Sequence, residues 1–544
     1  MAGEQNRTED WKTLPWKQFQ RNVFRLQKRI YQAQLRGDFK RVRGLQRLLL
    51  RSYSARNLAV RQVSQDNRGK NTPGVDGVSR LTPKQRVEMV KALRKLSPKP
   101  APIRRVYIPK ASNPNERRPL GIPTMHDRAE QALVKLALEP EWEARFEPNS
   151  YGFRPGRCPH DAIEAIFNHI RLKPKYVLEA DIEKCFDRIS HTALLAKLNS
   201  IAPINRQVHG WLKAGIFENG EIAAPEAGTP QGGVISPLLA NIALHGLETA
   251  LAEAFPKRNR PAIIRFADDF VILCEDLEKL LTASTLVEKW LAEMGLALKD
   301  AKTYITHTLH EHEGRTGFDF LGFTVRQFSV GKHHSKRGYK VFIKPSRTAQ
   351  KRHLEQMEEL IRTHRGSNQM ALIAALNPRI RGWTNYHRSN SAKRTFNRMD
   401  HQLHWKLCKW AKWQNPRKSH QWRKQRYWHR RRGRLDFSDG EANLAKYADT
   451  HIRRHVKVQG AKSPYDGNWA YWIERLGRDP SKPNRVIALL KNQLGRCLHC
   501  GLHFLSDDHL ETHHRNGNHN NNTFANLALL HGHCHDEVHR MKCS

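Results

Sequence analysis

Acidic residues are scarce in this 544-residue chain, with 52 Asp and Glu against 94 Lys and Arg and a formal net charge of +42. An excess of that size points to a polyanionic partner, nucleic acid first and a membrane surface second. Long apolar runs are also missing. No stretch approaches the roughly 18 apolar residues of a spanning helix, so no membrane segment is expected. The opening MAGEQNRTEDWKTLPW has no apolar core of a secretion signal, and none is expected. Cysteine is sparse, at eight residues, which excludes a disulfide scaffold. Cys158, Cys185, Cys274 and Cys408 are scattered and expected to be reduced, whereas Cys497, Cys500 and Cys534 are grouped as for a metal. The length allows three or four domains in an intracellular protein.

Residues 16–65 read as helices, with Val23, Leu26, Ile30, Leu35, Val42, Leu45 and Leu48-Leu49 at roughly helical spacing and Arg and Lys on the other faces. NTPGVDGVS (71–79) is a loop, IRRVYIPK (103–110) a strand ending at Pro109, and RRPLGIPT (117–124) a second extended piece. Residues 125–139 form a helix that Pro140 ends or restarts. A buried strand begins KYVLEADIEKCFDRI (175–189), and AIIRFADDFVILCED (262–276) reads as a hairpin lacking the usual glycine. Residues 277–294 are helical and FDFLGFTV (318–325) is extended. Strands alternating with helices from about 70 to 330 give an α/β region. From Trp405 to Arg434 there are five Trp, twelve Lys or Arg, and no Asp or Glu, a mixture suited to bases and phosphates together.

Two places bring acids to a strand end: Asp181 in EADIEKCFD, and Asp268-Asp269 in an otherwise apolar run. If those strands are neighbours the carboxylates converge, and like charges a few ångströms apart require a counter-ion. Hard oxygen ligands suit Mg²⁺, and two such ions serve in-line phosphoryl transfer. At the other end of the chain, CLHC (497–500) and HGHC (531–534) can form one tetrahedral zinc site from Cys497, Cys500, His531 and Cys534. His535 and His539 are four apart and share a helix face.

These segments resemble, in order, the motifs of the group II intron-encoded reverse transcriptases. VYIPK and RRPLGIPT are similar to the fingers motifs, NSYGFRPGRCPHDAI (149–163) to the segment before the first palm strand, and ADIEKCFDRISH (180–191) to the first catalytic motif. GTPQGGVISPLLANIALHGLE (228–248) resembles the template- and nucleotide-contacting entry, FADD the second catalytic motif, and GLALKDAKTYI (295–305) with FDFLGF the end of the palm. One departure is Phe266, where the family more often has Tyr. LNPRIRGWTNYHRS (376–389) resembles the maturase, or thumb, domain. ETHHRNGN (511–518), NLALL (526–530) and CHDEVH (534–539) resemble an HNH nuclease.

The resemblance implies the following roles. Asp181 and Asp268, with the Ile182 carbonyl, hold two Mg²⁺, and Asp269 supports them. Phe186 crowds the sugar 2′ position in favour of dNTPs. Arg104, Lys110 and Arg118 bind triphosphate, Gln231 contacts the incoming nucleotide, and Lys302 donates a proton to pyrophosphate. In the tail, His513, His535 and His539 hold one divalent cation, His514 is the general base, and Asn526 orients His514 or ties the loop. The expected fold is multidomain α+β. It comprises an N-terminal helical extension (1–70), right-hand fingers and palm with an antiparallel palm sheet (71–340), an α-helical thumb or maturase domain (341–420), a DNA-binding domain (421–485) and a zinc-stapled ββα HNH domain (486–544). The expected function is a multifunctional one: an RNA-directed DNA polymerase, a maturase for its own intron RNA, and a nuclease that nicks double-stranded target DNA to prime cDNA synthesis during intron homing. A bacterial cytoplasmic setting is expected, and dimerisation is left open. The rival reading is a splicing-only chaperone with idle catalytic sites, against which the intact acids of both palm motifs argue.

Overall fold

The computed structural model describes residues 10–97, 99–110, 113–218, 220–223, 227–229, 231–431, 433–505 and 508–541. At its centre is a four-stranded antiparallel sheet in the order Ala262–Phe266, Asp269–Cys274, Tyr176–Asp181, Tyr304–His307. Phe270 to Cys274 are almost fully buried, so these strands read as continuous apolar runs, as strands covered on both faces do. One cover is the helix Leu277–Glu293, capped by Asp276 and burying Leu280, Ala283, Val287 and Leu291. A second sheet pairs Ile103–Lys110 with Asn113–Ile122 and, in parallel, with Ile216–Glu218.

The N-terminal segment is helical as expected, over Trp16–Leu35, Phe39–Arg51 and Tyr53–Arg61. Val23, Ile30, Val42, Leu45 and Leu49 are buried, but Leu35 and Leu48 are exposed. Pro140 neither ends nor restarts its helix, which runs Met125–Glu143 with Pro140 inside and buried. The carbonyl that Pro140 deprives of an N–H is that of Leu136. It accepts instead from Gln27 Nε2 at 3.1 Å, and Gln46 Nε2 donates to the next carbonyl, Ala137, at 3.4 Å. Side chains of the N-terminal helices thus make good the helix's lost bond. FDFLGFTV is not one extended piece. Phe318–Phe320 and Phe323–Ser329 pair across Leu321 (φ 48°) and Gly322 (φ 79°), the left-handed two-residue turn that suits a tight hairpin.

Beyond residue 346, helices Arg347–Thr363, Gln369–His387 and Lys393–Gln414 pack into a separate core around Leu372, Phe396, Leu403 and Trp410. The Trp-rich stretch divides: Trp410 and Trp428 enter that core, while Trp405 and Trp413 stay exposed. The stretch expected as a DNA-binding unit, 421–485, is built into its neighbours. Tyr427, Trp428, Phe437 and Tyr447 complete the thumb core, and Val458 and Trp472 join the core behind the palm. Among the described residues, no helix is long and apolar enough to cross a membrane.

Asp161 fastens this return segment. One carboxylate oxygen accepts from His455 Nε2 (3.0 Å) and Val458 N (2.8 Å), the other from Arg475 Nη2 (2.6 Å) and Cys158 N (2.9 Å). Burial pushes the Asp161 carboxyl up, but the His455 bond and the Arg475 charge outweigh it and hold the group well below the ordinary carboxylate range. Gly156 leaves room for Trp472, whose ring a Cβ there would meet at 2.6 Å. Asp161→Asn is expected to destabilise the chain by about 3–5 kcal/mol, as breaking a buried pair does. A depressed pKa stabilises above the unfolded value of about 3.9 and stops doing so as pH falls through the folded one. The gap between parent and variant in thermal unfolding should therefore be full at pH 7 and shrink below about pH 4.

Candidate active site and metal centres

The sheet register answers the question of the acids. Asp181 lies directly opposite Asp269, and Asp268 sits in the two-residue turn between Phe266 and Asp269. Burial, followed by the neighbouring charges of Asp268 and Asp181, pushes Asp269 up to about 7, and burial raises Asp268 as well. The positive charges of Lys302 and Arg118 act in the opposite direction on both. Lys302 Nζ is 2.5 Å from Asp181 Oδ2, and that bond raises the pKa of the lysine. Three crowded carboxylates, Asp181 and Asp268 half-buried and Asp269 open to solvent, are a fitting donor set for hard divalent cations.

The turn itself is strained and braced. Ala267 has φ 59°, a left-handed conformation that favours glycine. Arg265, 3 % exposed, holds it from beneath. Its guanidinium donates to Ala267 O (3.1 Å), Asn241 Oδ1 (3.2 Å) and Ser150 Oγ (2.8 Å). Its backbone pairs with the 149–151 segment through Arg265 N to Asn149 O and Tyr151 N to Arg265 O, both 2.9 Å. Burial pulls the Arg265 guanidinium down to about 10. Gly152 presses so close that a Cβ there would stand 2.3 Å from Ala267 N, and its carbonyl accepts from Asn241 Nδ2 at 2.8 Å. Sequence reasoning missed Arg265, Asn241 and Gly152. The available signal was an arginine inside an apolar strand, which has to find acceptors.

The loop 227–229 and 231–236 joins the segment after Asp181 to the second sheet. Thr229 N donates to Phe186 O at 2.5 Å, and Gly228 packs on Asp187 with no room for a Cβ. Gly121 N donates to the Gln231 carbonyl at 2.6 Å. A Cβ on Gly232 (φ 118°) would stand 2.6 Å from Gly121 O, so the position has room only for glycine. Phe186 meets the exposed ring of Phe153 edge-on at 6.4 Å. Ile182 is buried and bridges to Leu298. Arg118 stands opposite Ile108 in the second sheet, and its charge reaches Asp268 and Asp269. Arg104 is drawn elsewhere, its Nε donating to Pro73 O at 3.1 Å. Lys110 closes its strand, and its side chain lies outside the described residues.

In the tail, the candidate ligand atoms of Cys497, Cys500, His531 and Cys534 lie within 4.8 Å of one another, and all four residues are buried. His531 turns Nδ1 toward the Cys500 and Cys534 sulfurs (3.4 and 4.0 Å), while Nε2 meets Asp508 at 3.3 Å. A carboxylate on the far nitrogen is the usual way a ligating imidazole is held. This thiol-rich set fits a tetrahedral zinc. His513, His535 and His539 form a second group within 4.8 Å. His513 lies on the strand Leu510–His514 and the other two on the helix Gly532–Met541. Glu511, unnoticed in the sequence, holds His535 Nδ1 at 2.6 Å. His514, next to His513 on the strand, faces away and meets Asn522 at 3.4 Å. Asn526 ties the loop, accepting from Asn516 N and donating to Asn521 O, rather than touching His514.

Comparison with known proteins adds three family matches. Residues 11–93 match the N-terminal domain of reverse transcriptase, 108–325 reverse transcriptase (RNA-dependent DNA polymerase), and 350–428 the group II intron maturase-specific domain. The chain is 33% identical over 303 residues to Protein YkfC of Escherichia coli K12, covering 48% of this chain and 77% of YkfC. It is 34% identical over 219 residues to the group II intron-encoded protein LtrA of Lactococcus lactis, covering 39% of this chain and only 36% of LtrA. Maturase-like protein 1 of Euglena gracilis is 28% identical over 386 residues, covering 69% of this chain and 76% of that protein.

Removing the Arg265 guanidinium strands the Ala267 carbonyl and its companions. Arg265→Met is expected to lower stability by about 1–3 kcal/mol for each acceptor left bare. Arg265→Lys should recover part of that, because one ammonium cannot serve three acceptors in a plane. Chemical denaturation of the three proteins side by side measures the order.

Proposed function

The chain belongs to the family of group II intron-encoded reverse transcriptase/maturase proteins, and from that premise we propose that it copies RNA into DNA at Asp181, Asp268 and Asp269 and assists the splicing of its own intron RNA. The observation that carries the reading is the pairing of Asp181 with Asp269 beside Asp268 in the turn. Asp181, Asp268 and the Ile182 carbonyl would hold two Mg²⁺, with Asp269 in support. When bound, such ions make a primer 3′-hydroxyl more acidic and stabilise the departing pyrophosphate. The chain's own residues do the rest. Arg118 draws the dNTP triphosphate toward the carboxylates, and Arg104 and Lys110 are further candidates for that role. Gln231 lies under the incoming nucleotide, with the neighbouring glycines giving the backbone close approach. Phe186 fills the space a ribose 2′-hydroxyl needs, and Lys302 supplies the proton to pyrophosphate. The basic surface of residues 350–428 would grip the intron RNA, and the exposed Trp405 and Trp413 offer stacking faces. A bacterial cytoplasm is part of the same proposal.

Primer extension on an RNA template with a DNA primer, dNTPs and Mg²⁺ tests the polymerase reading. Asp268→Asn should reduce synthesis about a thousandfold, equal to about 4 kcal/mol of lost transition-state stabilisation, while intron-RNA binding persists. No synthesis by the parent, with tight RNA binding, would leave a splicing-only maturase.

The two clusters of the tail favour a second activity: an HNH endonuclease that nicks double-stranded target DNA and so provides the primer for retrohoming. His513, His535 and His539 would hold one divalent cation against the scissile phosphate, and His514 would activate water. Cys497, Cys500, His531 and Cys534 would staple the module through zinc, since its own core is small. His514→Ala should abolish nicking of a supercoiled target without changing zinc content. Cys534→Ser should lose the zinc and melt the module, a loss read by elemental analysis and by proteolysis of the tail.

A further inference from the structure

A large cleft lies away from the carboxylate site and borders the Cys/His module, with Glu511 and His531 in its wall. It has a volume of about 1130 Å³ and runs between the N-terminal helix Trp16–Leu35 and the C-terminal Cys/His module. Lys17, Arg21 and Arg25 project into it from one face of that helix, and all three are exposed. At 1.5 Å of rise per residue their Cα atoms step along the cleft by about 6 Å each, a ladder of charge suited to a backbone of successive phosphates. The wall also holds Arg61, which is 4 % exposed. Arg61 stacks over the Trp16 ring at 4.8 Å and has an ion-pair contact to Asp66 through Nε at 3.4 Å. Its buried Nη1 has no hydrogen-bond partner. A buried guanidinium nitrogen left unsatisfied at the wall of a cavity is costly unless an acceptor arrives there.

Of the five acids in the wall, Asp508 is engaged with His531, Glu511 with His535 and Glu139 with Tyr465, Asp66 offsets Arg61, and none forms an ion pair with Lys17, Arg21 or Arg25. The cleft also carries a file of rings. Phe24 meets Trp469 at 5.0 Å, and Trp469 stacks on His503 at 4.7 Å. Each ring belongs to the lining and each is only half-buried. Cations for phosphates beside aromatic faces for bases are the chemistry that holds unpaired nucleotides. A protein partner of acidic character would use the cations but leave the rings without a role.

We propose that this cleft binds a single strand of nucleic acid, its phosphates on Lys17, Arg21, Arg25 and Arg61 and its bases against Phe24 and Trp469. The N-terminal helices and the Cys/His module then form one binding site, although they lie at opposite ends of the sequence. Such binding requires neither polymerisation nor strand cleavage.

The test is binding of labelled single-stranded DNA and single-stranded RNA oligonucleotides to the full chain, each across a salt series. The variants are Lys17→Ala/Arg21→Ala/Arg25→Ala and a control that removes equal charge away from the cleft, Arg36→Ala/Lys40→Ala/Arg41→Ala. With three phosphates no longer neutralised, the slope of log affinity against log salt should fall by about 2, and affinity by about tenfold or more near physiological salt. The control should change far less. Trp469→Ala should weaken binding without altering the slope, because stacking is not ionic. Loss with one oligonucleotide identifies DNA or RNA as the occupant, and equal loss with both assigns the site to either strand. If the cleft triple behaves as the control does with both oligonucleotides, the proposal is overturned.

Discussion

Crowded negative charge is the constraint on which the polymerase half of this molecule depends. Asp181, Asp268 and Asp269 are held together by strand register in a place where burial makes ionisation costly. Nothing in the carboxylates themselves favours that arrangement. The surroundings impose it: a left-handed Ala267, a guanidinium beneath the turn, and a glycine at 152 that lets the 150–152 segment press against it. Arg265 is buried at a cost of its own, which three acceptors and a depressed affinity for its proton record. The active turn is thus held by a second buried charge of opposite sign, lying just beneath the backbone that carries the acids.

The same device recurs where the chain returns to the palm. Asp161 accepts five hydrogen bonds, three of them from residues 455–475, and this makes the segment after the thumb part of the polymerase rather than a free linker. The consequence is positional. Once residues 451–477 are fixed across the back of the palm, the Cys/His module that follows has a defined place beside the N-terminal helices, and the basic cleft between them exists at all. The buried bonds of Gln27 and Gln46 to the Met125–Glu143 helix fix the other wall.

Much of the site was legible in the sequence because its chemistry is written in residue type and local spacing. Two acids in an apolar run, Cys-x2-Cys with a distant His-x2-Cys, and His-x3-His on a helix each admit few uses, and the structure brings each group together. The elements were legible for a similar reason, since apolar periodicity is local. Failures came where a long-range partner decided the outcome. Pro140 stays helical because Gln27 and Gln46 arrive from more than ninety residues away. Residues 421–485 share cores with the thumb and the palm instead of building one.

The sequence by itself determined which ligand types and charges are available and in what local pattern, because ligand type, charge and strand or helix period are properties of short stretches. It could not determine which buried groups would satisfy one another across hundreds of residues. Hydrogen bonds such as Arg157 Nη2 to the Gly460 carbonyl at 2.9 Å have no local signature. The brace under the acidic turn, the Asp161 latch and the cleft shared by the two ends of the chain were therefore decided only by tertiary structure, where buried polar groups must find partners wherever the chain can bring them.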